Sequence, residues 1–124
     1  MPVNSSWDAL RSYLQQEPNV RFALVFGSWA KQTAGPDSDL DLALYFGQAP
    51  EGIDTLEMIN TLSNIANREV DLVVLNRASA FLRHQVVKEG IRFLIKDPIG
   101  YRKFREKTMI DYDIYRYLTK APAA

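Results

Sequence analysis

The sequence predicts an α/β domain of the α+β kind, a mixed sheet of about four strands flanked by helices. Three observations carry this. Apolar residues fall alternately at helical and at strand spacing along the chain. The 124 residues, 47% of them hydrophobic, suit one domain, 1–124, with a real core. Cap and turn residues punctuate the periodic stretches, with no repeat, linker or low-complexity segment.

The elements follow in order. "SSWDALRSYLQQE" sets Trp7, Leu10 and Leu14 at helical spacing behind Ser5 or Ser6 as cap, and Pro18-Asn19 stops it. "VRFALVF", residues 20 to 26, is apolar on both faces apart from Arg21, as a central strand under helices would be. A short helix is expected from about Ser28, closed by Gly35-Pro36. "DLDLALYF" alternates, with Leu40, Leu42 and Leu44 on one face and Asp39, Asp41 and Ala43 on the other. "IDTLEMINTLSNIAN" spaces Leu56, Ile59, Leu62 or Ser63, and Ala66 as one helix face. "EVDLVVLN" reads as a third strand, "SAFLRHQVVKEG" as a helix ended by Gly90, and "IRFLI" as a fourth strand. Asp97-Pro98 offers a cap and a first-turn proline for a last helix of about 98–118 through Tyr101, Phe104, Tyr112 and Leu118, with a frayed tail after it.

Composition removes several function classes. Fifteen Lys and Arg balance fifteen Asp and Glu, so no global field draws the chain to nucleic acid or to an anionic membrane, and neither is expected as a direct partner. Without cysteine there is no disulfide framework, thiolate metal site or cysteine nucleophile, and the single His84 excludes multi-histidine zinc sites. The N-terminus lacks a signal-peptide layout and no apolar run has the length of a membrane span, so a cytoplasmic protein is expected.

Chemistry concentrates in "FGSWAKQTAGPDSDLDLALYF". Two residues apart on a strand, Asp39 and Asp41 send both side chains from one face, roughly 6.5 to 7 Å apart at Cβ. Like charges so placed repel, and a divalent cation compensates. Oxygen ligands on a rigid strand suit Mg²⁺, which keeps several waters and takes one or two carboxylates plus substrate phosphates. Asp71 in "EVDLVVL" is a third carboxylate; if its strand pairs beside the first, the three acids converge closely enough to hold two ions. The Gly27-Ser28 pair ends the buried strand and turns backbone N–H groups outward, where Gly27 lets a phosphate approach and Ser28 adds a donor. Phosphate at the turn and metal on the acids describe a nucleoside triphosphate and nucleotidyl or phosphoryl transfer.

Gly27-Ser28, ten residues, Asp39-x-Asp41 and a later Asp71 resemble the signature of the DNA polymerase beta-like nucleotidyltransferases. At average composition four such fixed residues arise by chance in about one chain in a thousand of this length. The small size and the run "GPDSDLDLAL" are similar, within that superfamily, to the minimal nucleotidyltransferases, the MntA-type antitoxins encoded beside HEPN-domain ribonuclease toxins in type VII-like pairs. One departure is Trp29 and Lys31 in place of the arginine-rich wording that follows Gly-Ser in the family.

The resemblance implies a polymerase beta-like fold and AMP transfer from ATP to a tyrosine of the cognate HEPN toxin, in a hetero-oligomer with it. It implies Mg²⁺, two ions, with Mn²⁺ an alternative. Asp39, Asp41 and Asp71 are the metal and catalytic candidates, and Gly27, Ser28, Asp39 and Asp41 the nucleotide-binding ones. Two other readings stay open: an antitoxin that silences its partner sterically, and an antibiotic nucleotidyltransferase. Glu69 is a candidate extra ligand against the plainer reading of a strand-end charge. Lys31, Arg83 and Lys88 are candidate triphosphate contacts against surface charges, and His84 a candidate base against a surface or interface histidine. "YRKFREKTMIDYDIYRYL" reads as a docking face.

Overall fold

Residues 5–35 and 37–120 are described by the computed structural model. The Ser5 side chain as a cap, Pro36 of the expected helix stop and the tail after Lys120 lie outside the described residues. The elements run α1 (Ser5–Gln16), β1 (Val20–Phe26), β2 (Leu40–Phe46), α2 (Gly52–Ala66), β3 (Val70–Val74), α3 (Ala80–Glu89), β4 (Ile91–Ile95) and α4 (Pro98–Thr119). Ser6 therefore sits inside the first turn of α1 and does not cap it.

The sheet order is β3-β2-β1-β4. β1 pairs antiparallel with β2 and with β4, while β2 pairs parallel with β3. A parallel pair needs a crossover, and α2 supplies it. Strand alternation divides the core in two. Val20, Ala23 and Val25 of β1 and Leu40, Leu42, Leu44 and Phe46 of β2 pack with Trp7, Leu10 and Leu14 of α1 and Leu62 and Ala66 of α2. On the other face Phe22, Leu24 and Ala43 meet Val86 of α3 and Tyr101 and Phe104 of α4. The result is a four-stranded mixed sheet with a helix pair on each side, the α/β arrangement the sequence predicts.

Helix ends follow local chemistry. The Ser79 hydroxyl accepts from the Leu82 N–H ahead of α3, and the Asp97 carboxylate accepts from the Gly100 N–H ahead of α4, with Pro98 in its first turn. Asn67, at φ 55°, closes α2 in the left-handed conformation and donates its N–H to Ser63 O. β3 stops at Val74 because the Asn76 side chain takes over the ladder, accepting from Phe46 N–H at 2.9 Å and donating to Phe46 O at 2.7 Å. A 3₁₀ turn, Leu75–Arg77, occupies the end of the expected strand.

Four expectations are corrected. No helix begins at Ser28: residues 27–32 form a run of turns in which the Lys31 N–H donates to Gly27 O, and Gln32 at φ 60° prevents continuation. Leu56 is 63% exposed. The first turns of α2 stand clear of the core, and its packed residues are Met58, Leu62, Ile65 and Ala66. Asp39 precedes β2, whose pairing to β3 starts with Leu40 N–H donating to Glu69 O at 2.9 Å. Only the first half of α4 is covered, by Tyr101, Phe104 and Thr108, and Leu118 is exposed. Among the described residues no helix is long and apolar enough to cross a membrane.

Candidate active site

Asp41, second residue of β2, lies opposite Phe26 of β1 on one side and Asp71 of β3 on the other. Residues in parallel register send their side chains to the same face. The Asp41 and Asp71 carboxyls therefore stand side by side, on the face that carries α3 and α4. That layer ends before it reaches them: Ala43 is fully buried, Asp41 half-buried and Asp71 exposed. Asp39 sits at the rim, exposed, just outside the strand.

The electrostatics follow from this geometry. Burial, and after it the charges of Asp71 and then Asp39, push Asp41 above the ordinary carboxylate range, and a side-chain hydrogen bond with Asp71 acts in the same sense. A hydrogen bond between two carboxyl groups needs a proton between them. Asp41 thus holds its proton more tightly than a free carboxyl does, at a place where a cation would relieve the same repulsion.

Gly27 frames the other side of the site. The chain leaves β1 through Gly27 at φ +70°, in the left-handed region, and its Cα lies against the Asp41 side chain. Ser28 follows at once, and its carbonyl accepts from Thr33 N–H at 2.9 Å, which folds the turn back on itself. Arg68, between α2 and β3, donates from Nη1 to Ser38 O at 3.3 Å and sets its guanidinium over the Trp29 ring, 4.6 Å from the centroid.

Among the described residues no three acidic or histidine side chains already close into a metal cage. Asp41 and Asp71 pair directly, and Asp39, which precedes the first ladder bond, stands near enough for its charge to act on Asp41. This donor set still fits a small hard cation. It is all oxygen, rests on a rigid sheet, and leaves most of a coordination shell to water and phosphate.

The other candidates separate. Lys31 reaches Glu89 at 3.7 Å, an exposed pair of little weight. Arg83 is neither a surface charge nor near the acids. It donates to Ala78 O, Thr108 Oγ1 and Asp111 Oδ2, is 15% exposed, and ties α3 to α4. His84 stacks on Tyr112 with centroids 3.6 Å apart. Lys88 and Glu69 are exposed. Sequence reasoning missed Arg68, one basic residue among fifteen, whose only signal is its place just before the Asp71 strand.

The family model "Polymerase beta, Nucleotidyltransferase" matches residues 8–99. The MntA protein adenylyltransferase of Shewanella oneidensis is 33% identical over 73 residues, 59% of this chain and 52% of that protein, so the match spans about half of that relative's length. The MntA protein adenylyltransferase of Thermococcus cleftensis is 27% identical over 89 residues, 72% of this chain and 90% of its own. A crystal structure of a toxin–antitoxin with AMP-PNP superposes with a TM-score of 0.80 at 25% identity, covering 93% of this chain and 91% of that one.

Proposed function

Because the chain belongs to the polymerase beta nucleotidyltransferase family, we propose that it is an antitoxin that transfers AMP from ATP to a tyrosine of a cognate HEPN-domain ribonuclease toxin in the cytoplasm and so neutralises it. The observation that carries this reading is the Asp41–Asp71 pair, set against Gly27 at an uncovered sheet end. Two relatives described as protein adenylyltransferases, and the likeness to a toxin–antitoxin with AMP-PNP, support the nucleotide and the class of partner.

Asp41 and Asp71, with Asp39 at the rim, would hold Mg²⁺, two ions in the full site, or Mn²⁺. Bound there, the metal neutralises triphosphate charge and polarises the α-phosphate. The Gly27-Ser28 turn would present backbone to the phosphates, and the missing Cβ leaves room for the Asp41 carboxylate beside them. Asp71, the more open of the paired acids, accepts the proton of the attacking tyrosine hydroxyl. The tyrosine oxygen forms a bond to the α-phosphorus, the bond from that phosphorus to the bridging oxygen breaks, and pyrophosphate leaves. The added phosphate charge on the toxin repels the RNA backbone.

A steric reading also has an observation behind it: Ile110, Ile114, Tyr117 and Leu118 leave an exposed apolar surface on α4 that a partner could cover. One experiment separates the two. The toxin is incubated with this protein, ATP and Mg²⁺, separated from it, and assayed for ribonuclease activity and intact mass. Catalysis leaves it inactive and heavier by one or more AMP units, and the Asp39→Ala, Asp41→Ala double variant leaves no mark. An unmodified toxin that regains full activity on separation would reject the catalytic reading.

A further inference from the structure

The rim of the site is built from two successive turns of the single β1–β2 connection, each with its own hydrogen bonds. In the turn, Lys31 N–H donates to Gly27 O and Thr33 N–H to Ser28 O. In the acid-bearing loop, Gly35 N–H donates to Ser38 Oγ at 2.8 Å and Ser38 N–H to Gly35 O at 3.2 Å. Arg68 touches both. Its guanidinium donates to Ser38 O on one side and lies over Trp29 on the other.

Its root is fixed as well. Arg68 N–H donates to Ser63 O, and Val70 N–H donates to the Ser63 hydroxyl, so the backbone on both sides of it is tied to the end of α2. Trp29 packs edge-on to Trp7, ring centroids 5.4 Å apart, and its buried indole N–H has no hydrogen-bond partner. Packing and the cation above it therefore position this ring. A cavity of about 90 Å³ among Trp7, Leu10, Leu40 and Ala66 has the Trp29 ring and Arg68 on its wall. Removing the guanidinium would enlarge that cavity beside the ring and let the turn sag away from the acids.

We infer that Arg68 is a positioning residue that braces the Gly27-Ser28 turn against the Asp39 loop through Trp29 and Ser38, and so sets how tightly the site binds metal–nucleotide. The bracing stands on the contacts alone; its effect on metal–nucleotide rests on the nucleotidyltransferase reading above. A planar, delocalised cation is needed, because one face must stack while an edge donates.

The test uses the full chain in two measurements. Hydrogen exchange without ligand should show Arg68→Ala speeding exchange in residues 28–33 and 37–39 together, with the strands unchanged. Trp29→Ala should reproduce this, and Trp29→Phe, which keeps an aromatic face, should restore protection. Titration with ATP and Mg²⁺ should then show Arg68→Ala binding weakened roughly tenfold, as loss of a partner behind a metal ligand does. Turnover at saturating nucleotide should hold, and Arg68→Lys should recover only part of the affinity. Unchanged exchange, a rise in one loop alone, a general rise across the sheet, or a fall in turnover with unchanged affinity would overturn the brace. If the wild type neither binds ATP with Mg²⁺ nor transfers AMP, the proposed function fails, and the exchange pattern still decides the brace.

Discussion

Gly27 lies directly against the side chain of Asp41: a methyl group on Gly27 would stand 3.0 Å from Asp41 Cγ and overlap the carboxylate oxygen beyond it. The residue also sits at φ +70°, where a β-carbon costs about 1–2 kcal/mol. Gly27→Ala should therefore lower Tm and, by shifting the carboxylate, weaken binding of ATP with Mg²⁺. Calorimetry on Gly27→Ala and the wild type checks this, and unchanged affinity would show that the close approach has no role in the site.

Asp41 gives a pH signature. Its carboxyl is raised above the ordinary 3.8 by burial and by its acidic neighbours, so the folded state binds the proton more tightly than the unfolded chain. That contribution to stability is complete below 3.8 and is lost as pH rises through the raised folded value. In metal-free buffer the Tm of Asp41→Asn relative to wild type should climb as pH rises through that window. Mg²⁺ should raise the Tm of the wild type at neutral pH and have less effect on the variant. A flat difference across the series would place the repulsion elsewhere.

Asp71→Asn separates binding from chemistry. The amide keeps an oxygen toward a cation but accepts no proton, so the variant should retain part of its ATP affinity and lose turnover, by the 10²- to 10⁴-fold, roughly, that general-base catalysis supplies. Equal loss of affinity and rate would make Asp71 a ligand alone.

Arg83 is tested through stability. Arg83→Ala leaves the buried Thr108 hydroxyl without this donor, a cost of about 1–3 kcal/mol, and frees α4 from α3. Tm should fall, while affinity for ATP with Mg²⁺ should hold, because Arg83 lies away from the acids. A selective loss of affinity would return it to the triphosphate.

The acids were legible because their signal is local: alternation in "DLDLALYF" fixes which face Asp41 shares with Ala43, and β2 bears it out. The helix expected after Gly27-Ser28 was not, since its outcome depends on Gln32 adopting φ 60°, which no spacing announces. Leu56 fits a helical stripe but meets nothing, because periodicity says which side of α2 is apolar and not how far along it the core extends. The Arg83–Asp111 pair joins residues 28 apart on different helices, and charge alone could not distinguish it from a phosphate contact.

β3 is an edge of the sheet, and its five residues, Val-Asp-Leu-Val-Val, would without the aspartate be an apolar ribbon of high strand propensity. A charge placed in such a ribbon acts as a gatekeeper against edge-to-edge association between molecules. Asp71 thereby guards solubility, and its substitution is expected to shorten the working life of a concentrated sample, seen as light scattering that grows on standing in Asp71→Val and not in Asp39→Val.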